Sequence, residues 1–245
     1  MINTLDDFIK EFEKIRNKGW ITTNRKGPTG IGKTLEDLLG IPENNKQEPD
    51  FGEYELKSAR KDDGSMLTLI TKSPSPMGIN KEILNKFGYT SSQYGNNKKV
   101  IHATLNAREY VRIADTGYSL KIKFDEANNK ISIYSLNNNT GEENEETFWD
   151  LYDLKKKIES KIKNKIIYVT AESNRDNYKE ELKFENAYLC EGVSPERIFD
   201  LLKENKMFVD IRIGQYENGK THDHGTAFRI RPSDHHRLFN MKKIV

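Results

Sequence analysis

The run Pro49-Asp50-Phe51-Gly52-Glu53-Tyr54-Glu55-Leu56-Lys57 constrains the fold more than any other part of this chain. Pro49 and Gly52 favour a turn, and the alternation that follows predicts a strand. Side chains two apart on a strand share a face, so Glu55 and Lys57 project together while Tyr54 and Leu56 turn to the other side. One face is chemical and the other belongs to a core. Asp50 precedes the strand, where its carboxylate can converge on that of Glu55. Two such carboxylates suit Mg²⁺, which commonly takes one or two of them with waters and substrate phosphate, and which makes an attached water more acidic. Lys57 would position or polarise that water. An alternating charged strand is also the ordinary pattern of a solvated sheet face, so these nine residues do not decide the matter alone.

A second motif competes. Gly27-Pro28-Thr29-Gly30-Ile31-Gly32-Lys33-Thr34 satisfies the G-x4-G-K-[ST] pattern of a loop that cradles nucleotide phosphates. Such a loop leaves a buried strand, yet the preceding Trp20 to Lys26 turns polar. The helix predicted after it, Leu35 to Leu39, is stopped by Gly40 and Pro42. The alternative is a glycine-rich turn with Thr34 as helix N-cap. On that helix Leu35, Leu38 and Leu39 share a side, which leaves Glu36 facing elsewhere as a possible third carboxylate.

The block from Gly30 to Ile41, PDFGEYELKS, the run Ser65 to Pro76, and VDIRIG with GKTHDHGTAFRI near the C-terminus together resemble the MvaI/BcnI type of restriction endonucleases. These are relatives of the repair nickase MutH within the PD-(D/E)xK nuclease superfamily. The matching blocks keep their order from about Gly19 to Val245. The resemblance implies an α/β fold with a mixed sheet flanked by helices, in two lobes around a DNA cleft. It also implies Mg²⁺-dependent hydrolysis of duplex DNA. By position, Asp50, Glu55 and Lys57 match the family's catalytic triplet, with Asp50 and Glu55 as metal ligands, and Glu36 matches its helix carboxylate. The apparent phosphate loop coincides with a family block that has no nucleotide role.

The remaining sequence is consistent with such an enzyme. A chain of 245 residues suits one large domain or two lobes. The expected division is a mainly catalytic lobe over 1–165 and a mainly DNA-recognising lobe over 166–245, with crossings of the chain between lobes allowed. A formal net charge of only +2 means that DNA affinity has to come from local clustering. Cys190 is the only cysteine, which excludes an intramolecular disulfide and a cysteine metal cluster and fits a reducing cytoplasm. Met1 to Lys18 reads as an amphipathic helix rather than a signal peptide. No stretch reaches the ~18 apolar residues needed to cross a bilayer.

Farther along, Ser65 to Lys72 predicts a strand, Lys81 to Phe87 a helix, and Tyr118 to Phe124 with Lys130 to Leu136 two alternating strands. Asn137 to Glu146 is polar enough to predict an exposed loop. Phe148 to Ile162 shows helical spacing, with Lys155, Lys156, Lys157, Lys161 and Lys163 clustered around it. Those lysines suit either a phosphate backbone or a solvated face, and none is placed in the site.

Sequence reading of DNA is expected from the C-terminal quarter. Asp210 and Arg212 alternate with apolar residues in Val209 to Ile213, and Arg229 and Arg231 repeat the pattern over Ala227 to Arg231. Arginine can grip guanine O6 and N7, and aspartate can accept from cytosine N4. The competing reading is a salt bridge between Asp210 and an arginine. The resemblance places Asp210, Arg212 and Arg229 on base-reading positions and the loop before Gly225 near the minor groove, with His222 toward the central pair. A zinc site at His222 and His224 lacks a third ligand. The combined expectation is a monomeric type II enzyme that cuts a CC-N-GG site in successive nicks, beside a cognate methyltransferase. The alternatives are a MutH-like nickase and a DNA-binding protein without chemistry. The central pair stays open between A·T, G·C and any base.

Overall fold

A computed structural model of the protein describes residues 2–42, 49–61, 64–92, 98–162, 165–176, 179–216, 218–223 and 225–245. In chain order these form α1 (Leu5–Asn17), β1 (Ile21–Thr22), α2 (Gly30–Leu39), β2 (Glu55–Arg60), β3 (Leu67–Thr71), α3 (Asn80–Phe87), β4 (Tyr89–Thr90), β5 (Lys99–Leu105), β6 (Val111–Arg112), β7 (Tyr118–Asp125) and β8 (Lys130–Asn137). They continue as β9 (Glu143–Asp150), α4 (Leu151–Ile162), β10 (Lys165–Arg175), β11 (Glu180–Glu191), α5 (Pro195–Lys203), β12 (Met207–Gln215), β13 (Thr221–Asp223), β14 (Ala227–Ile230), a 3-10 turn (Pro232–Asp234), α6 (His235–Leu238) and β15 (Asn240–Lys243). The fold is mixed α/β. Packing divides the chain into two compact units, Met1–Leu67 with Glu159–Ser194 and Arg231–Val245, and Thr68–Ile158 with Pro195–Ile230.

The first unit is built on the sheet β1-β11-β10-β2, with β15 added beside β11. β2 runs parallel to β10, with Leu56 opposite Ile167 and Lys57 opposite Tyr168. Leu56, Ile167 and Val169 belong to the core that includes Phe8, Phe12 and Leu35 from α1 and α2. The helices therefore cover one face of the sheet, and Glu55 and Lys57 point from the other. α1 begins with a capping box in which Thr4 Oγ1 accepts from the Asp7 N–H and Asp7 Oδ2 from the Thr4 N–H, each at 3.1 Å. Stacking of Phe8 on Phe51, with ring centroids 5.7 Å apart, ties α1 to the turn before β2.

The glycine-rich segment has a structural explanation. The Arg60 side chain donates to Gly27 O at 3.1 Å and Pro28 O at 3.2 Å, and grips Glu180 through Nη2–Oε2 at 2.8 Å and Nε–Oε1 at 2.5 Å. A Cβ on Gly30 would come 2.2 Å from Arg25 O, so the close approach requires glycine. β1 spans only Ile21–Thr22, and Lys33 reaches Asp37 at 2.5 Å, so the segment is a pinned turn that runs directly into the first turns of α2. The expected Thr34 cap is corrected: α2 starts at Gly30, and Thr34 is buried within it, its hydroxyl accepting from the Asn24 N–H at 3.0 Å.

Arg60 holds the Glu180 carboxyl down to about 2, from an ordinary 4.5. A carboxylate depressed in the folded state adds stability above its unfolded pKa, and that stability is lost as pH falls from about 4.5 toward 2. Removing one partner of a buried pair strands the other, so Glu180→Ala should cost about 3 kcal/mol in urea unfolding at neutral pH. The deficit should shrink on acidification.

The second unit contains two sheets, β3-β14-β12-β5-β4 with β13 beside β12, and β6-β7-β8-β9. Met207, Val209, Ile211 and Ile213 of β12 are buried on one face, as their alternation predicts. Two expectations are corrected here. The last four residues of the segment expected to be an exposed loop, Asn137 to Glu146, open β9, which pairs antiparallel with β8, while 138–142 form the expected exposed connection. Its glutamates meet cross-strand partners: Lys130 lies 2.6 Å and Ser132 Oγ 2.9 Å from Glu145 Oε1. The next helix begins at Leu151 rather than Phe148, where Asp150 Oδ1 accepts from the Asp153 N–H at 2.9 Å. Trp149 is a buried strand residue whose indole donates to Lys72 O at 2.8 Å.

Candidate active site

The turn before β2 is fixed by mutual backbone hydrogen bonds between Phe51 and Tyr54, 2.8 and 3.2 Å long. Gly52 at its tip has φ +50°, and a Cβ there would come 2.5 Å from Asn3 O. The turn folds Asp50 back on the strand it precedes, so that Asp50 Oδ2 accepts from the Leu56 N–H at 2.7 Å. That bond leaves Oδ1 for another partner. Glu55, the first residue of β2, is 2% exposed. Its Oε1 accepts from Lys57 Nζ at 2.8 Å, and Lys161 Nζ of α4 lies 3.0 Å from Oε2 without hydrogen-bond geometry. Glu55 and Lys57 therefore share one side of the strand, as the alternation predicts, and Asp50 is close enough to feel the charges of both.

Burial, with the Glu55 carboxylate next in effect, pushes the Asp50 carboxyl above the ordinary range. Two carboxylates sharing a partly dry site favour a cation between them. A carboxylate raised in the folded state costs stability when ionised, and the cost is relieved as pH falls through its folded pKa. Asp50→Asn should therefore raise the melting temperature of the metal-free protein by a few °C above neutral pH, roughly what 1 kcal/mol gives in a chain of this size. The gain should fade in acid and on adding a divalent metal, which a thermal melt with and without chelator would measure.

The donor chemistry fits a hard divalent cation, since both ligands are oxygen and the position carries excess negative charge that lysines now offset. Among the described residues no group of three His, Cys, Asp or Glu side chains is set to hold a metal, so Asp50 and Glu55 would be completed by water or substrate. Glu36 is half-buried on α2, four residues after Gly32, whose Cβ position would lie 3.7 Å from Ser58 Oγ of β2. Residues four apart share a helix face, so Glu36 lies on the side of α2 that carries Gly32. Beside Lys57 in the register, Tyr168 is pushed up to about 12 by burial, and His235, edge-on to it at 5.1 Å, is lowered to about 4 by burial. Both are uncharged near neutral pH.

A second charged cluster lies on β12 of the other unit. Asp210 is 4% exposed, with Oδ1 accepting from Thr104 Oγ1 at 2.8 Å and Oδ2 meeting Arg229 Nη1 at 2.7 Å and Arg212 Nε at 2.8 Å. The ion pair anticipated for Asp210 exists, but it is buried and joins two arginines. The register places Arg229 opposite Phe208, His102 opposite Arg212 and His222 opposite Gly214. Because Phe208, Asp210, Arg212 and Gly214 alternate along β12, Arg229, Asp210, Arg212 and His222 share one sheet face. His222 Nδ1 lies 2.5 Å from Tyr216 Oη. Arg231 is exposed and follows the end of β14, which stops at Ile230 rather than continuing through Arg231. His224 and Lys163 lie outside the described residues.

Sequence reasoning misses Thr104 and His102, whose link to this face is a cross-strand register, and Lys161, which the sequence presents only as one of a lysine cluster.

The MvaI/BcnI restriction endonuclease family matches residues 9–239. Among solved structures, MvaI in complex with its cognate DNA substrate is 32% identical over 100% of both chains, with a TM-score of 0.89. MvaI in the absence of DNA is 31% identical over 100% of this chain and 99% of that one, with a TM-score of 0.61. No curated protein matches the chain. No helix among the described residues is long and apolar enough to cross a membrane.

Proposed function

Because the chain belongs to the MvaI/BcnI restriction endonuclease family, we propose that it is a Mg²⁺-dependent type II enzyme that hydrolyses phosphodiesters of duplex DNA at a CC-N-GG site. The observation that carries the proposal is the buried Glu55 carboxylate beside Asp50, with Lys57 at 2.8 Å on the same strand face. Asp50 and Glu55 would hold the cation, which when bound would supply positive charge against the phosphate oxygens and acidify water. Lys57 orients the attacking water and offsets charge that develops on the phosphorane oxygens. Glu36 tunes the carboxylate pair from α2.

For base reading, the Arg212 and Arg229 guanidiniums present paired donors to guanine O6 and N7. Asp210 acts in this reading mainly by fixing both arginines, since its oxygens are already engaged and it is 4% exposed. His222 approaches the central pair, and Arg231 contributes a cation near the backbone. The first unit is then mainly catalytic and the second mainly DNA-recognising.

One such site among the described residues favours a monomer that cuts each strand in a separate event; a cytoplasmic setting and a protecting methyltransferase complete the proposal. Incubation of supercoiled plasmid with the protein and Mg²⁺ tests this. Nicked circles should accumulate before linear DNA, and chelator should stop both steps. A partner-dependent nickase would stop at the circle, and a binding protein would leave the plasmid supercoiled.

A further inference from the structure

The last turn of α4 brings Lys161 Nζ to 3.0 Å from Glu55 Oε2, on a side chain only 3% exposed. Oε1 is tied to Lys57, whereas Oε2 accepts no hydrogen bond, so Lys161 meets it as a charge rather than as a fixed donor. Lys161 also favours the ionised form of Asp50, by more than Lys57 does. One ammonium on a long flexible stem thus faces both carboxylates. Nothing in the spacing of Asp50, Glu55 and Lys57 requires it.

We propose that Lys161 is a resident counter-ion of Glu55 that a divalent cation displaces and that a DNA phosphate then takes up. The proposal rests on the nuclease reading of the site. Glu55 Oε2 is the oxygen left for a metal, and an ammonium 3.0 Å away occupies the approach to it. Two cations this close repel, more strongly in a buried site than in water. Lys161 therefore yields its place, and its side chain, 24% exposed, already reaches solvent. A phosphodiester is the anion that DNA brings to such a site. Lys161 is then a positioning residue: it keeps the carboxylates together before metal arrives and links metal binding to DNA binding.

Titration of Mn²⁺ into the DNA-free full chain tests the first half, comparing wild type with Lys161→Met, Lys161→Arg and Glu55→Gln. Lys161→Met should bind Mn²⁺ about tenfold more tightly than wild type, because the competing charge is gone. Lys161→Arg should stay near wild type, and Glu55→Gln should weaken binding. The salt dependence of duplex binding in Ca²⁺, at concentrations where no cleavage occurs, tests the second half. Adding Ca²⁺ should steepen the slope of log K against log salt by about 0.9 in wild type, the value for one more phosphate contact, and should leave it unchanged in Lys161→Met. Unchanged or weaker Mn²⁺ binding by Lys161→Met, with Glu55→Gln still impaired, overturns the role of Lys161 and spares the nuclease reading. Mn²⁺ binding indifferent to Glu55→Gln overturns the nuclease reading itself.

Discussion

Asp50→Ala and Lys57→Ala should each abolish cleavage of plasmid DNA, lowering the rate by about three orders of magnitude, while the protein should stay folded and still bind duplex DNA. The separation of chemistry from binding follows from placement. Asp50 in the turn before β2 and Lys57 within β2 both lie outside the core that α1 and α2 form with the sheet, so truncating either leaves that core intact. Burial and Glu55 raise the Asp50 carboxyl, so its ionised form carries a cost at neutral pH that offsets the hydrogen bond it accepts from the Leu56 N–H. The two variants should differ in metal response. Lys57→Ala should keep the carboxylate pair and bind metal, whereas Asp50→Ala should lose one ligand and bind it poorly. Equal metal affinity in both would contradict the division of labour between them.

The second large effect concerns discrimination between DNA sequences. Arg212 is 46% exposed in its side chain, while Asp210 beneath it is 5% exposed. Arg212→Ala should therefore leave the melting temperature nearly unchanged and lower the preference for cognate over single-substituted sites by about 10- to 100-fold, the scale of one lost bidentate guanine contact. Asp210→Ala should lose the same discrimination and also about 3 kcal/mol of stability, because it removes the buried carboxylate that Arg229, 15% exposed, meets at 2.7 Å. Competition binding against a set of substituted duplexes, together with urea unfolding, separates the two outcomes. An Asp210→Ala protein of wild-type stability and selectivity would show that the two arginines need no common anchor.

Local alternation made the strand from Glu55 and the strand around Asp210 legible, because a period of two assigns faces without any knowledge of neighbours. The same logic failed at Glu143 to Glu146. Four polar residues look unpackable alone, and only the cross-strand partners Lys130, Ser132 and Ser135 make them a strand. Trp149 fits a helical spacing with Tyr152 as well as it fits a strand, and the capping bond from Asp150 decides the boundary. Thr34 had the composition of a cap, but the tight approach at Gly30 starts α2 earlier. Lys161 was legible only as one lysine among several, since its contact with Glu55 joins α4 to β2. The two packing units were illegible for a related reason: each is assembled from separated stretches of chain, and local pattern carries no record of which stretches meet. The blocks resembling MvaI/BcnI enzymes gave the family, and that is the one long-range statement the family match over residues 9–239 then supports.

The most direct test of the central claim is to map, by sequencing, the DNA ends produced from a plasmid of known sequence by wild-type protein and by Asp50→Ala, with Mg²⁺ and with chelator. The account predicts ends confined to CC-N-GG sites, made only by wild type and only with Mg²⁺, and the bases found at the centre of those sites define the fifth position. Ends scattered through the plasmid, or defined ends that persist in Asp50→Ala, would contradict it.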